Sequence, residues 1–128
     1  MFIATCLEIL NTENKGRGVF ATENIDANTI IEVAPVIVMS KEERIDLDKT
    51  QLYNYIFLWE NGYECCCVAL GWVSIYNHAY KSNCIYEMNY HNQTISIITV
   101  VAIKKGEELT INYNGSSEDE TPVWFDAQ

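Results

Sequence analysis

The chain has 128 residues, 48% of them apolar and 20% charged, which fits one globular domain with a single core and leaves no room for a second. Aspartate and glutamate outnumber lysine and arginine 18 to 8, for a formal charge of −10. That balance lacks the clustered cations a phosphate backbone requires, so it argues against direct nucleic-acid binding and favours a basic partner.

In chain order, Phe2 to Leu10 is β-prone, and the polar, glycine-bearing loop Asn11 to Gly18 leads to a short strand, Val19 to Ala21. Ile25-Asp26-Ala27-Asn28 turns the chain into the apolar run Thr29 to Met39, where Pro35 marks a bend or an edge position. Ser40-Lys41-Glu42-Glu43 has capping-box spacing, so a helix starts there. A second helical piece is predicted over Lys49 to Phe57, with Leu52, Tyr55 and Ile56 on one face. Asn61-Gly62 is a strong hairpin dipeptide before a strand over Tyr63 to Leu70. The apolar run Leu70 to Ile75 is then followed by what reads as an exposed turn, Tyr76-Asn77-His78-Ala79. Cys84 to Tyr90 and Thr94 to Ile103 form a hairpin around His91-Asn92-Gln93, and Lys104-Lys105-Gly106 leads into a last strand, Leu109 to Tyr113. Beyond the acidic stretch to Glu120, Pro122-Val123-Trp124-Phe125 reintroduces two large aromatics.

Of the five cysteines, three are consecutive (Cys65, Cys66, Cys67), and adjacent strand residues face opposite ways, so these three cannot all bind one metal. There is no Cys-x-x-Cys spacing, and the histidines are His78 and His91 alone; no metal site is expected, and the thiols read as reduced and largely buried. The start Met1-Phe2-Ile3-Ala4-Thr5 lacks the basic region of a secretory leader. No apolar run reaches the length of a membrane span; the best candidate, Ile95 to Ile103, is interrupted by Ser96 and Thr99. A soluble cytoplasmic or otherwise intracellular protein is therefore expected. Short strands without regular strand–helix alternation, and no glycine-rich strand-to-helix turn, exclude a Rossmann-type nucleotide fold.

Three polar segments stand apart from this β framework: Lys15-Gly16-Arg17-Gly18-Val19-Phe20, Tyr76-Asn77-His78-Ala79, and Glu107-Glu108-Leu109-Thr110-Ile111-Asn112-Tyr113. A two-glycine loop permits close backbone approach to a ligand, an Asn-His corner holds irregular turns, and a strand-end tyrosine offers a phenol. In this order they resemble the three motifs of the SET-domain lysine methyltransferases, and the resemblance runs from about Phe2 to Tyr113. It implies a mainly β fold of several short curved sheets with one or two short helices and a C-terminal pseudoknot. Residues 1–113 would form the SET domain, and residues 114–128 a zinc-free tail closing the site.

The resemblance implies S-adenosylmethionine as cofactor, held by Lys15, Gly16, Arg17, Gly18, Asn77, His78 and Tyr113, with Trp124 covering it. It makes Tyr113 the catalytic residue. It implies a channel for the substrate lysine, with Tyr86 in its wall. Tyr55 or Phe57 is placed there to replace the channel tyrosine that many members carry where this chain has Ala34-Pro35, and Phe125, with Trp124, to cover the site in place of the family's cysteine-rich zinc segment. Simple docking of the tail remains the other reading of Trp124 and Phe125. The implied partner is a lysine-bearing, basic protein or peptide, and a homodimer is one way to cover exposed strand edges. Three departures from the family pattern occur. Ala79 replaces a serine, Ser82 a proline, and Asn112 an aspartate; restoring aspartate at 112 is expected to be tolerated. These departures leave a catalytically silent SET-like module that binds basic peptides as the alternative.

Overall fold

The computed structural model describes residues 1–60 and 64–113. Its strands are β1 (Phe2–Ile3), β2 (Leu7–Asn11), β3 (Arg17–Ala21), β4 (Ile30–Met39), β5 (Ile56–Trp59), β6 (Cys65–Ala69), β7 (Asn77–His78), β8 (Cys84–Asn89), β9 (Thr94–Thr99) and β10 (Glu108–Ile111), with one α-helix, α1 (Lys41–Leu47). The larger sheet runs β5-β6-β4-β9-β8 with β1 also on β4, and the smaller runs β2-β3-β10-β7. The mainly β architecture expected from the sequence is the one observed.

β4 is the hub. Its first half pairs with β9 up to Pro35↔Thr94, and its second half pairs with β6 from Val36↔Ala69. Pro35 thus sits where one neighbour gives way to the next, where a missing amide disturbs the ladder least. Ile31, Ala34, Ile95, Ile97, Val19, Leu109 and Ile111 are fully buried, so the inner faces of both sheets share one core. Ser40 caps α1 as its spacing predicts: its hydroxyl accepts from the Glu43 amide at 3.2 Å, and the Glu43 carboxylate accepts from the Ser40 amide at 3.0 Å.

Several expectations need correction. The helix predicted over Lys49 to Phe57 is a single 3-10 turn, Gln51–Asn54, capped by the Thr50 hydroxyl, and the chain then enters β5. Ile56, Phe57, Leu58 and Trp59 are β-branched or aromatic for the most part, and they pair with Val68 to Cys65 of β6; cross-strand pairing wins over a weak helical period. Residues 76–79 are not an exposed turn. Tyr76 and His78 are buried, and β7 runs parallel to β10 through Thr110↔Asn77 and Ile111↔His78. β9 stops at Thr99 and β10 at Ile111, so Tyr113 lies two residues beyond the strand. All five cysteines are free thiols; Cys66, Cys67 and Cys84 are buried, and burial pushes the Cys67 and Cys84 thiols up to about 12. Asn61 and Gly62 of the expected hairpin turn lie outside the described residues, though the β5–β6 hairpin they would close is present.

Candidate functional site

The site begins with a hairpin loop. Thr12 closes it: the Thr12 amide and hydroxyl donate to the Gly16 carbonyl at 2.6 and 2.9 Å, and the Thr12 hydroxyl accepts from the Lys15 amide at 2.8 Å. Gly16 takes a left-handed φ of 71°, which glycine adopts without steric penalty. Gly18 is constrained differently. A Cβ placed on it would collide with the Glu108 carboxylate and come within 2.9 Å of the Asn77 amide nitrogen. The glycine at 18 is therefore what lets three segments meet.

Asn77 joins them. Its Nδ2 donates to the Arg17 carbonyl at 3.0 Å and to Glu108 Oε2 at 2.7 Å. One side chain thus bonds the glycine loop on one side and β10 on the other. Asn83 completes the interlock from farther along the chain: its Oδ1 accepts from the Thr110 amide at 2.8 Å, and its Nδ2 donates to the Glu108 carbonyl at 2.9 Å. The Ala79 amide donates to the Ile111 carbonyl at 3.0 Å, and Asn112 Nδ2 donates to the Tyr80 carbonyl at 3.0 Å. β10 lies between β3 and β7 and is tied down by residues 77–83 throughout.

His78 and Tyr113 form the next layer. His78 Nδ1 accepts from the Tyr113 amide at 3.0 Å, which requires a neutral ring at Nδ1. Burial, aided by the nearby Lys15 ammonium, lowers the His78 pKa and keeps that form populated. The Tyr113 hydroxyl donates to the Tyr76 carbonyl at 2.8 Å. Burial, with smaller contributions from Tyr55 and Tyr86, pushes the Tyr113 phenol up to about 12, so it stays protonated near neutrality.

On its other side Tyr113 borders a cleft of about 480 Å³ that is lined chiefly by Tyr53, Tyr55, Phe57, Tyr86, Tyr90 and Tyr113 itself. Phe57 stands edge-on to Tyr86 at 5.3 Å and to Tyr113 at 6.1 Å between ring centres. The Tyr86 hydroxyl donates to the Tyr113 carbonyl at 3.2 Å. The cleft is thus an aromatic-walled space of the kind that accepts an alkyl chain with a polar tip. Its rim carries Arg44 and Asp48, paired at 3.9 Å.

The sequence-predicted residues thus fall in two connected groups. Gly18, Arg17 and Asn77 converge on the glycine-loop corner, with Lys15 and Gly16 in the adjoining turn. Tyr55, Phe57, Tyr86 and Tyr113 line the cleft, and His78 links the groups through Tyr113. Trp124 and Phe125 lie outside the described residues. Sequence reasoning did not single out Glu108, whose carboxylate faces Gly18, or Tyr76, whose carbonyl receives the phenol. It also passed over Glu32, whose carboxylate bonds the Tyr76 hydroxyl at 3.0 Å. A lone acidic residue inside the apolar run Thr29 to Met39 was the signal for Glu32. Nothing in sequence alone distinguishes Glu108 from its neighbour Glu107.

Comparison with known proteins comes to the same place. A model of the SET domain family matches residues 16–114. A Schizosaccharomyces pombe protein named histone-lysine N-methyltransferase, H3 lysine-37 specific, is 40% identical over 125 residues, covering 97% of this chain and 80% of that protein. Among solved structures, a candidate histone methyltransferase of Plasmodium falciparum superposes with a TM-score of 0.67 at 28% identity, over 89% of this chain and 97% of that one. A chain of a humanized mutant of the Chaetomium thermophilum Polycomb Repressive Complex 2 gives a TM-score of 0.68 at 26% identity, over 88% of this chain and 15% of that one.

Proposed function

This chain belongs to the SET-domain family of protein-lysine methyltransferases, and on that premise we propose that it moves a methyl group from S-adenosylmethionine to a lysine of a histone-like basic protein, with Tyr113 at the reacting centre. One observation carries this reading: Tyr113 belongs to both halves of the site, bonded to His78 and Tyr76 at the interlocked corner and walling the aromatic cleft.

The residues present fit the cofactor. Gly16 faces open space, and the Glu108 carboxylate, packed against Gly18 and bonded to Asn77, offers an acceptor for an amino-acid ammonium. Lys15, Gly16, Arg17, Gly18, Asn77, His78 and Tyr113 would hold it. When bound, it would supply an activated methyl on a sulfonium for transfer to the lysine Nζ.

The protein's share is alignment and deprotonation. A free lysine titrates at about 10.4, so it must release a proton to water before it can act as nucleophile. Phe57, Tyr86 and Tyr113 favour the neutral amine by withholding water from the ammonium. Tyr113 is not the base, since its phenol is held as an acid to about 12. With its proton committed to the Tyr76 carbonyl, its oxygen would be left to accept from an amine in the cleft and so orient the attack.

The family departures are accommodated without chemistry. Residue 79 contributes its backbone amide, and Asn112 donates an amide bond that an aspartate would not. The net charge of −10 favours encounter with a cationic tail, and the five free thiols suit an intracellular setting. Titration calorimetry with S-adenosylmethionine, followed by intact-mass analysis of histone H3 after incubation, tests the reading. Saturable heat and a gain of methyl mass support it. Saturable binding to histone tails without cofactor heat would instead favour the silent module.

A further inference from the structure

We propose that Glu32 is a positioning residue for methyl transfer, acting through Tyr76 on the carbonyl that receives the Tyr113 phenol. The inference rests on the methyltransferase reading above.

Glu32 lies near the start of β4 and is fully buried, between Ile31 and Val33 in a strand otherwise filled with apolar side chains. Its carboxylate reaches across to the segment 71–76. Oε2 accepts from the Trp72 amide at 2.7 Å, Oε1 accepts from the Tyr76 hydroxyl at 3.0 Å, and the Val73 amide also contributes. A buried carboxylate is tolerated only where donors replace the water it has lost. Here burial raises its pKa and these three donors act against that rise.

The segment is shaped to deliver those donors. Gly71 has φ 71°, and a Cβ on it would stand 2.5 Å from Glu32 Oε2. Residues Val73–Ile75 form a 3-10 turn, so the amides of Trp72 and Val73 point to the carboxylate at one end and Tyr76 returns to it at the other. In the same turn the Ser74 hydroxyl donates to the Tyr55 carbonyl at 2.8 Å, tying the turn to the cleft wall.

The consequence falls on Tyr76. Its ring has no exposed surface, and its hydroxyl is held by Glu32 while its carbonyl accepts from Tyr113 at 2.8 Å. Both ends of one residue are pinned, and the direction of the carbonyl follows from the anchorage of the side chain. An apolar residue at 32 would leave the Trp72 and Val73 amides and the Tyr76 hydroxyl without this acceptor. The carboxylate also gives direction, because a fully satisfied buried polar network rigidifies the groups it joins.

Tyr76→Phe is the decisive variant, because it keeps the ring and removes only the bond to Glu32. Its kcat should fall at least about fivefold with KM for S-adenosylmethionine within about twofold, the pattern of a group felt in the transition state and not in binding. A second readout needs no turnover: with [13Cζ]-tyrosine labelling, the Tyr113 resonance, identified by its loss in Tyr113→Phe, should shift in Tyr76→Phe. If Tyr76→Phe does not fold, Glu32→Gln, which places an amide where the carboxylate must accept, is judged by the same two criteria. An unchanged kcat, or a fall in kcat matched by an equal loss of cofactor affinity with the Tyr113 resonance unmoved, overturns the assignment. An inactive wild-type protein would instead overturn the methyltransferase reading, so the two failures are distinguishable.

Discussion

The Tyr113 hydroxyl donates to the main-chain carbonyl of Tyr76 across 2.8 Å. This bond fixes the hydroxyl of a residue that lies two positions past the end of β10, whose ring packs against Phe57 and His78. Phe at 113 keeps the ring against Phe57 and His78 but removes the oxygen. The expected result for Tyr113→Phe is a fall in kcat of about a hundredfold, on the order of 2.7 kcal/mol of transition-state stabilisation. Cofactor affinity by calorimetry should be nearly unchanged. Equal turnover in the variant removes Tyr113 from the mechanism.

Gly18 and Gly16 separate two kinds of glycine requirement. At Gly18 a methyl meets Glu108 and Asn77, so Gly18→Ala forces apart the glycine loop and β10 and should destabilise the fold by about 1–3 kcal/mol while weakening cofactor binding. At Gly16 there is open space but φ is 71°, so Gly16→Ala should carry only the backbone penalty of about 1 kcal/mol. Urea denaturation of the two variants checks the order, with Gly18→Ala the less stable.

Asn112→Asp should be harmful, the reverse of what family resemblance leads one to expect. Asn112 is buried at 2% exposure and donates Nδ2 to the Tyr80 carbonyl; an aspartate would set a carboxylate oxygen against that carbonyl. A loss of about 1–3 kcal/mol is expected at neutral pH, read as a lower urea midpoint. Wild-type stability in this variant would mean the amide bond is dispensable.

His78 gives a pH dependence whose sign follows from its depressed pKa. Its ring is held neutral by burial and by Lys15, so the unfolded chain binds this proton more readily than the folded one. Stability from this residue is complete above the unfolded value near 6.5 and is lost as pH falls from there toward the folded pKa. Protonation also removes the acceptor for the Tyr113 amide. The fall in thermal midpoint between about pH 7 and pH 5 should therefore be smaller in His78→Gln than in wild type. An equal fall in both contradicts this.

The sequence carried the elements that depend on local chemistry. The Ser40 capping box, the β8–β9 hairpin and the glycine requirement near Arg17 were all legible from spacing and turn residues. What it did not carry was tertiary. Ile56 to Trp59 joins a strand because β6 is there to pair with it, which no periodicity within Lys49 to Phe57 reveals. Asn77 and His78 looked like an exposed turn because their burial depends on β10, more than 30 residues away in the sequence. The convergence of Tyr55, Phe57, Tyr86 and Tyr113 on one cleft is likewise a property of the assembled sheets.

The most direct measurement is transfer of labelled methyl from S-adenosylmethionine to histone H3 by wild-type protein and by Tyr113→Phe, with the product located by mass spectrometry. Methylation of a lysine side chain by wild type, lost in the variant while it still binds cofactor, is the predicted result. Absence of methyl-lysine on histone H3 with the wild type, or transfer that persists without the phenol, would contradict the account.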